Sequence, residues 1–325
     1  MPILCRVTRG ELTESIHVVF AVAVDESGKI YSTGDPYYHT CIRSSLKPFQ
    51  AAAAIKAGAV DAAGFSDDEI ALMCASHYGE PIHIKAAQSM LYKIGLTVND
   101  YECGSHFPTD KDSRYGMIKQ GSKAEPFHNN CSGKHAGMLA LAKHLNHGIA
   151  GYIKKDHPVQ KAIFKLVRDY TGMDKIPTEI DGCSAPTPFM PLETVAGLFQ
   201  KLGSREYPEL SRAFNVMCAH PKMVGGTHHF DSFFIDAMAG RGITKIGGEA
   251  IRGITIKKPD GGCVGIALKV LDGNFRALPM ATMKILEHLQ LLSPDELKKL
   301  DKFRTKILKN HNQLKIGRIE AIVET

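Results

Sequence analysis

The chain has 325 residues, 44% of them apolar, enough for a well-buried core in one large domain or two modest ones. Lysines and arginines exceed aspartates and glutamates by 40 to 34, a formal charge of +6 that is scattered until lysines gather near the C-terminus. With no tryptophan, no basic motif interleaved with aromatics and no zinc-finger spacing, this reads as surface charge. It excludes nucleic acid as the expected partner and leaves anionic small molecules open.

The N-terminus, Met1-Pro2-Ile3-Leu4-Cys5-Arg6, has none of the parts of a secretory signal. No apolar run approaches the roughly 20 residues of a membrane span, so a cytoplasmic protein without membrane association is expected. The eight cysteines are dispersed, as expected for reduced thiols and not for a disulfide scaffold.

Residues 17–24 are a β-branched and apolar run that turns at Asp25-Glu26-Ser27-Gly28 into a second short run, 29–32, and predicts a hairpin. From 44 to 59 the pattern is helical and rich in alanine. Pro48 fits if the helix proper begins there, with 44–47 as a tight turn leading in. The apolar stretch 70–76 reads as a strand or as the end of a helix, stopped by Gly79-Glu80-Pro81. Pro81 then starts a helix through Met90 and Ile94. Residues 103–127 are polar and irregular, a long connection of the kind that often carries function. Helices are predicted at 133–145, after an Asn-Asn-Cys-Ser cluster able to cap it, and at 158–170 and 191–202. Runs at 264–270 and 273–277 predict a second hairpin about Asp272-Gly273, followed by a helix at 280–292 and a last strand at 317–323. Strands at both ends with helices between them predict a mixed α/β fold of the α+β type: an antiparallel sheet shared by the terminal segments and flanked by helices. No linker marks a boundary. Residues 1–325 read as a single catalytic unit, with a sheet-containing part formed by both termini and a helical part.

Ser44 and Lys47, in Arg43-Ser44-Ser45-Leu46-Lys47-Pro48-Phe49-Gln50, stand one helical turn apart, the spacing of a serine nucleophile with a lysine base. The same spacing serves a helix cap beside a solvated lysine. A base requires the lysine pKa to be lowered by burial or by neighbouring cations. Asn129-Asn130-Cys131-Ser132-Gly133-Lys134-His135 crowds polar groups where an apolar helix begins, and a helix N-terminus lowers the pKa of a nearby thiol. Cys131 reads there as a nucleophile with His135 one turn on, as a thiolate metal ligand, or as a buried cysteine in a capping loop. Asp181-Gly182-Cys183 is a sparser loop of the same kind, and Ser76-His77 closes an apolar run. His228-His229 with Asp231 has the composition of a metal cluster, although adjacent histidines on an extended segment point to opposite sides.

In this order the segments resemble the bacterial L-asparaginases of the Rhizobium etli type. The resemblance runs from Thr8-Arg9-Gly10 and Glu14-Ser15-Ile16-His17 nearly to the C-terminus. It is carried by the Arg43–Gln50 segment, Cys74-Ala75-Ser76-His77 with Gly79-Glu80-Pro81, Asn129 to Met138, Asp181-Gly182-Cys183 with Pro186-Thr187, and Gly265-Ile266-Ala267-Leu268-Lys269 before Asp272-Gly273. It implies a fold similar to serine β-lactamases and bacterial glutaminases, and an amidohydrolase that converts L-asparagine to L-aspartate and ammonia, as a homodimer. It implies two serine–lysine pairs, Ser44 with Lys47 as nucleophile and base, and Ser76 with Lys269 relaying protons or polarising the amide. It also implies a Zn2+ ion on Cys131, Lys134 and Cys183 that positions the substrate, and substrate contacts from Arg43, His135 and Asp181.

The chain departs from that pattern in three places. Ser184-Ala185 follows Cys183 where relatives more often have glycine and an aliphatic residue. Histidine stands within Thr227-His228-His229 where many have glycine and arginine, and Gly248-Glu249-Ala250 replaces Ala-Glu-Gly. These bear on affinity and on asparagine over glutamine, not on the reaction class. The alternatives are a related serine amidohydrolase acting on glutamine or another small amide, a Cys131-dependent hydrolase, and a non-catalytic binder of metal or amino acid.

Overall fold

The computed structural model describes residues 2–322 and divides into two compact units. One comprises the chain up to Thr40, Met190–Ser204 and the chain from Phe233 onward; the other comprises Cys41–Phe189 and Arg205–Ser232. Among the described residues no helix is long and apolar enough to cross a membrane.

The first unit is built on an eight-stranded sheet. Its order is Thr305–Lys309, Lys315–Ile322, Ile3–Arg9, Leu12–Asp25, Cys263–Val270, Ile251–Lys257 and Gly242–Gly247, with Gly28–Thr33 paired to Leu12–Asp25. All these pairings are antiparallel. The terminal strands pair directly, Leu4 opposite Ile322 and Val7 opposite Ile319, so the sheet is shared by both ends of the chain as expected. Val323, expected to close the last strand, lies outside the described residues. Leu12–Asp25 pairs with Ile3–Arg9 over its first half and, across the Asp25–Gly28 turn, with Gly28–Thr33 over its second.

Every residue of Cys263–Val270 is buried, and helix Leu192–Gly203 packs on it. Gly265 permits that approach, because a Cβ there would collide with the backbone of Ala196 and Gln200. Helix Leu278–His288 packs on the first and last strands, where Met280 meets Val7 and Ile319. The expected hairpin about Asp272-Gly273 does not form. Asp272 accepts the Asn274 N–H and Asn274 accepts the Arg276 N–H, so the chain coils into a 3₁₀ turn, Phe275–Ala277, that runs into the helix. Cys263–Val270 takes Leu12–Asp25 and Ile251–Lys257 as partners instead.

The second unit packs helices around Lys47–Lys56, of which only Lys56 is not buried. A helix covered on every side needs no amphipathic stripe, and the small side chains of Ala51 to Ala54 let helices Ser132–His144, Pro158–Thr171 and Pro208–Ala219 approach it together. The ambiguous stretch near 70–76 is a helix end: Ser66 and Glu69 form a capping box that starts Asp67–Met73, and the chain leaves helical structure before Ser76. Helix Pro81–Lys93 follows, with its proline in the first turn. The polar connection 103–127 contains a helix, Lys111–Lys119, that no apolar periodicity announces because none of its residues is buried.

Candidate active site

A 3₁₀ turn, Arg43–Leu46, leads into Lys47–Lys56, with Pro48 in the first turn, where a missing N–H costs nothing. Ser44 is half-buried on this turn and Lys47 is 1% exposed. The Lys47 Nζ lies 2.6 Å from Ala75 O, 3.1 Å from Asn130 O and 3.0 Å from Ser76 Oγ. An ammonium serves all three as donor. A neutral amine has two N–H bonds and one lone pair, so the two carbonyls take the N–H bonds and the lone pair is left for the Ser76 hydroxyl proton. Burial lowers the Lys47 pKa from the ordinary lysine value, against the opposing pull of the Cys131 charge.

Ser76 lies on a non-helical segment whose burial alternates: Ser76, Tyr78 and Glu80 are half-exposed, His77 and Gly79 buried. The segment is pinned by the His77 N–H on Asn130 O and by the Asp110 N–H on Tyr78 O. His77 accepts the Gly79 N–H at Nδ1, which leaves Nε2 as the donor to Ser132 Oγ at 2.8 Å, and Ser132 donates in turn to Phe127 O. Burial, with charges on His83 and Lys47, pushes the His77 pKa well down, so this imidazole is a neutral strut.

Ser132–His144 starts immediately after Cys131, whose N–H is accepted by Asn129 Oδ1; the Asn129 amide donates to Cys103 O and Gly104 O. Cys183 is presented by the 181–185 loop joining Thr178–Ile180 to the paired residues after Ala185, closed by the Asp181 N–H on Ala185 O and the Ser184 N–H on Asp181 O. The loop brings Cys183 Sγ to 2.9 Å from Lys134 Nζ. Hydrogen bonding to Cys131 and the charge of Lys134 lower the Cys183 pKa, while the same bond and burial push Cys131 well up. Burial opposes the Lys134 charge, but the sulfurs of Cys183 and Cys131 outweigh it and raise its pKa.

His135 is fully buried, held at Nδ1 by Tyr152 Oη at 2.7 Å, and burial lowers its pKa to about 4. Its Nε2 is also buried and has no partner of hydrogen-bond geometry. Arg43 donates from Nε to Asp181 Oδ1 at 2.8 Å and from its backbone N–H to Thr187 Oγ1. Among the described residues no group of three or more His, Cys, Asp or Glu side chains is arranged to hold a metal; the third polar group at the thiol pair is Lys134.

The helical unit thus holds Arg43, Ser44, Lys47, Ser76, Cys131, Lys134, His135, Asp181 and Cys183. Lys269 belongs to the sheet unit. It is 9% exposed on Cys263–Val270, opposite Phe20 and Ile251, and donates to Glu249 O. His228 and His229 do not form a metal cluster with Asp231; the His229 ring stacks on Tyr78 instead. Sequence reasoning missed Tyr152 as the support of His135. Asn129 stands out in the sequence as part of the polar cluster that can cap the helix, but its bonds to Cys103 O and Gly104 O have no local signal.

Comparison with known proteins defines the class first: the family model that matches the chain, over residues 5–321, is one of amidohydrolases. That family is L-asparaginase II, and the chain belongs to it. No curated protein matches. Among solved structures the chain is similar to a β-lactamase from Burkholderia ambifaria, at 12% identity over 85% of this chain and 96% of that one, with a TM-score of 0.41. It is also similar to Mglu in its native form in 4.3 M NaCl, at 14% identity over 86% of this chain and 63% of that one, with a TM-score of 0.37.

Proposed function

We propose that the protein hydrolyses L-asparagine to L-aspartate and ammonia as a cytoplasmic homodimer, with Ser44 as nucleophile and Lys47 as its base. The observation that carries this reading is the buried Lys47 amine, one turn after Ser44, with its lowered pKa and its contact to Ser76. Ser44 Oγ attacks the amide carbon as its proton passes to Lys47. The amide nitrogen of the tetrahedral adduct takes that proton back through Lys47 and Ser76 as the C–N bond breaks and leaves as ammonia, and water then cleaves the acyl-serine to release aspartate. The family resemblance assigns Lys269 to the same proton traffic, which Lys269→Ala tests. Arg43 suits the substrate α-carboxylate, Asp181 the α-amine, and His135 a further polar contact.

The donor set at Cys131, Lys134 and Cys183 fits a zinc ion. Two cysteine sulfurs and a lysine nitrogen are there, and the lysine, whose neighbours hold its proton more tightly than usual, would ligate after losing it. Bound there, zinc would supply a fixed positive charge that orients the substrate.

One observation favours a second reading, with Ser76 as nucleophile: its hydroxyl lies 3.0 Å from the same amine. A Cys131 nucleophile fits less well, since its thiol is pushed up and not down. The test is ammonia release from asparagine by Ser44→Ala and Ser76→Ala, with mass spectrometry of the acyl-enzyme trapped by acid quench. The proposal expects no turnover without Ser44 and the adduct on the Ser44 peptide. An adduct on Ser76 selects the second reading, and full activity in both variants refutes a serine nucleophile.

A further inference from the structure

Beyond the reacting groups, the loop Gly226–His229 is clamped onto the Ser76–Glu80 segment in two ways. The Glu80 carboxylate accepts the Thr227 N–H at 2.8 Å on one oxygen and the Thr227 hydroxyl on the other. The His229 ring lies face to face with Tyr78, with centroids 3.4 Å apart and planes 8° from parallel. Gly226 makes this fit possible. It has a φ of +72°, and a Cβ there would come within 2.7 Å of both Glu80 Oε1 and Tyr78 Cδ2. Tyr78 shares the half-exposed side of its segment with Ser76, since burial alternates along residues 76–80. The ring that His229 holds therefore lies two residues along the chain from the hydroxyl that Lys47 holds.

We propose that Tyr78 determines specificity at this site and that His229 is its positioning residue: the stack fixes the tyrosine ring beside Ser76 and so limits the depth open to the substrate's amide arm, favouring asparagine over glutamine, which is one methylene longer. This rests on the amidase reading. Asparagine and glutamine present the same amide to the same nucleophile, so only the wall against which the arm is measured distinguishes them. A rigid aromatic ring held by a second ring is such a wall, and one held by an alanine-sized neighbour is not. Stacking uses the flat face of the imidazole and not its nitrogens.

The experiment compares wild type, His229→Ala, His229→Phe and Tyr78→Ala, measuring kcat and KM for asparagine and for glutamine. His229→Ala and Tyr78→Ala are expected to lower the asparagine-to-glutamine ratio of kcat/KM by about tenfold, the scale of one methylene in a pocket, mainly through KM. His229→Phe restores the ratio to within about twofold because it keeps the flat face. An unchanged ratio in His229→Ala, or a phenylalanine variant that falls as far as the alanine one, overturns the proposal. Should His229→Ala fail to fold, His229→Leu, which keeps bulk without a flat face, carries the same expectation. Wild type that releases ammonia from neither amide refutes the amidase reading and not the stack. Amide hydrogen exchange at residues 76–80 then decides: faster in His229→Ala and restored in His229→Phe supports the positioning, and equal rates in all three refute it.

Discussion

Replacing Lys47 by methionine separates stability from chemistry. Methionine matches the lysine stem in length and removes only the amine. Of its three acceptors, Asn130 O keeps the His77 N–H at 3.2 Å, and the half-exposed Ser76 can turn to water. Ala75 O loses the donor that stood 2.6 Å away. One buried carbonyl left unpaired costs about 1–3 kcal/mol. Against this, the variant no longer bears the desolvation that lowers the Lys47 pKa. The opposing effects leave a net change of about 2 kcal/mol or less, roughly 4 °C in Tm for a chain of this size. Loss of the base lowers kcat/KM for asparagine by about 10²- to 10⁴-fold. The assay is ammonia release at pH 7.5 beside a thermal melt of the same preparation. A folded variant within about tenfold of wild type would refute Lys47 as the base. A Tm lowered by more than about 10 °C would refute the argument that the pocket tolerates an apolar chain.

Ser184 has a φ of +69°, left-handed backbone that glycine enters at no steric cost. Ser184→Gly keeps the N–H bond to Asp181 O and is expected to stabilise the protein by about 0.5 kcal/mol, the relief of strain less the added chain entropy. A lower urea midpoint would contradict this. Burial also holds His77 and His83 below the usual histidine value of 6.5; His83, Lys47, His106 and His128 add to the lowering at His77, while the Lys222 carbonyl, Glu80 and Asp110 oppose it at His83. Above pH 6.5 both are neutral in the folded and the unfolded chain and contribute nothing. Below it the unfolded chain takes up protons that the folded chain does not, so stability falls with pH by up to about 1.4 kcal/mol per unit for each. His77→Gln should remove one such slope between pH 6.5 and 5.5 in urea unfolding, and equal slopes in variant and wild type would exclude the mechanism.

The serine and lysine at 44 and 47 are legible in the sequence because their relation is local: one turn of chain and the proline after it place both. What the spacing does not contain is which way the lysine reaches. Lys47 meets Ala75, Ser76 and Asn130, contacts that exist only once Lys47–Lys56 is enclosed by its neighbours and the chain has left Asp67–Met73. The alanine run that permits this enclosure looks, in sequence, like a helix of no particular orientation. Cys131 and Cys183 are readable as candidates, since each sits in a polar loop beside a glycine. Their meeting depends on a hairpin loop carrying a left-handed Ser184, where the usual glycine signal is missing. The hairpin expected about Asp272-Gly273 fails for a related reason: an Asp-Gly pair marks a turn, but Asn274 decides that the turn continues as helix. Lys111–Lys119 is hidden because periodicity reports burial, and that helix buries nothing. The Tyr78–His229 stack is the extreme case. The only pattern that marks either residue, the pair of histidines before Asp231, points to a metal, and the contact depends on a glycine, Gly226, whose only visible property is the lack of a side chain. Residues that react announce themselves by type and spacing; residues that set the shape of the space around them do so through packing, and packing is where sequence patterns are silent.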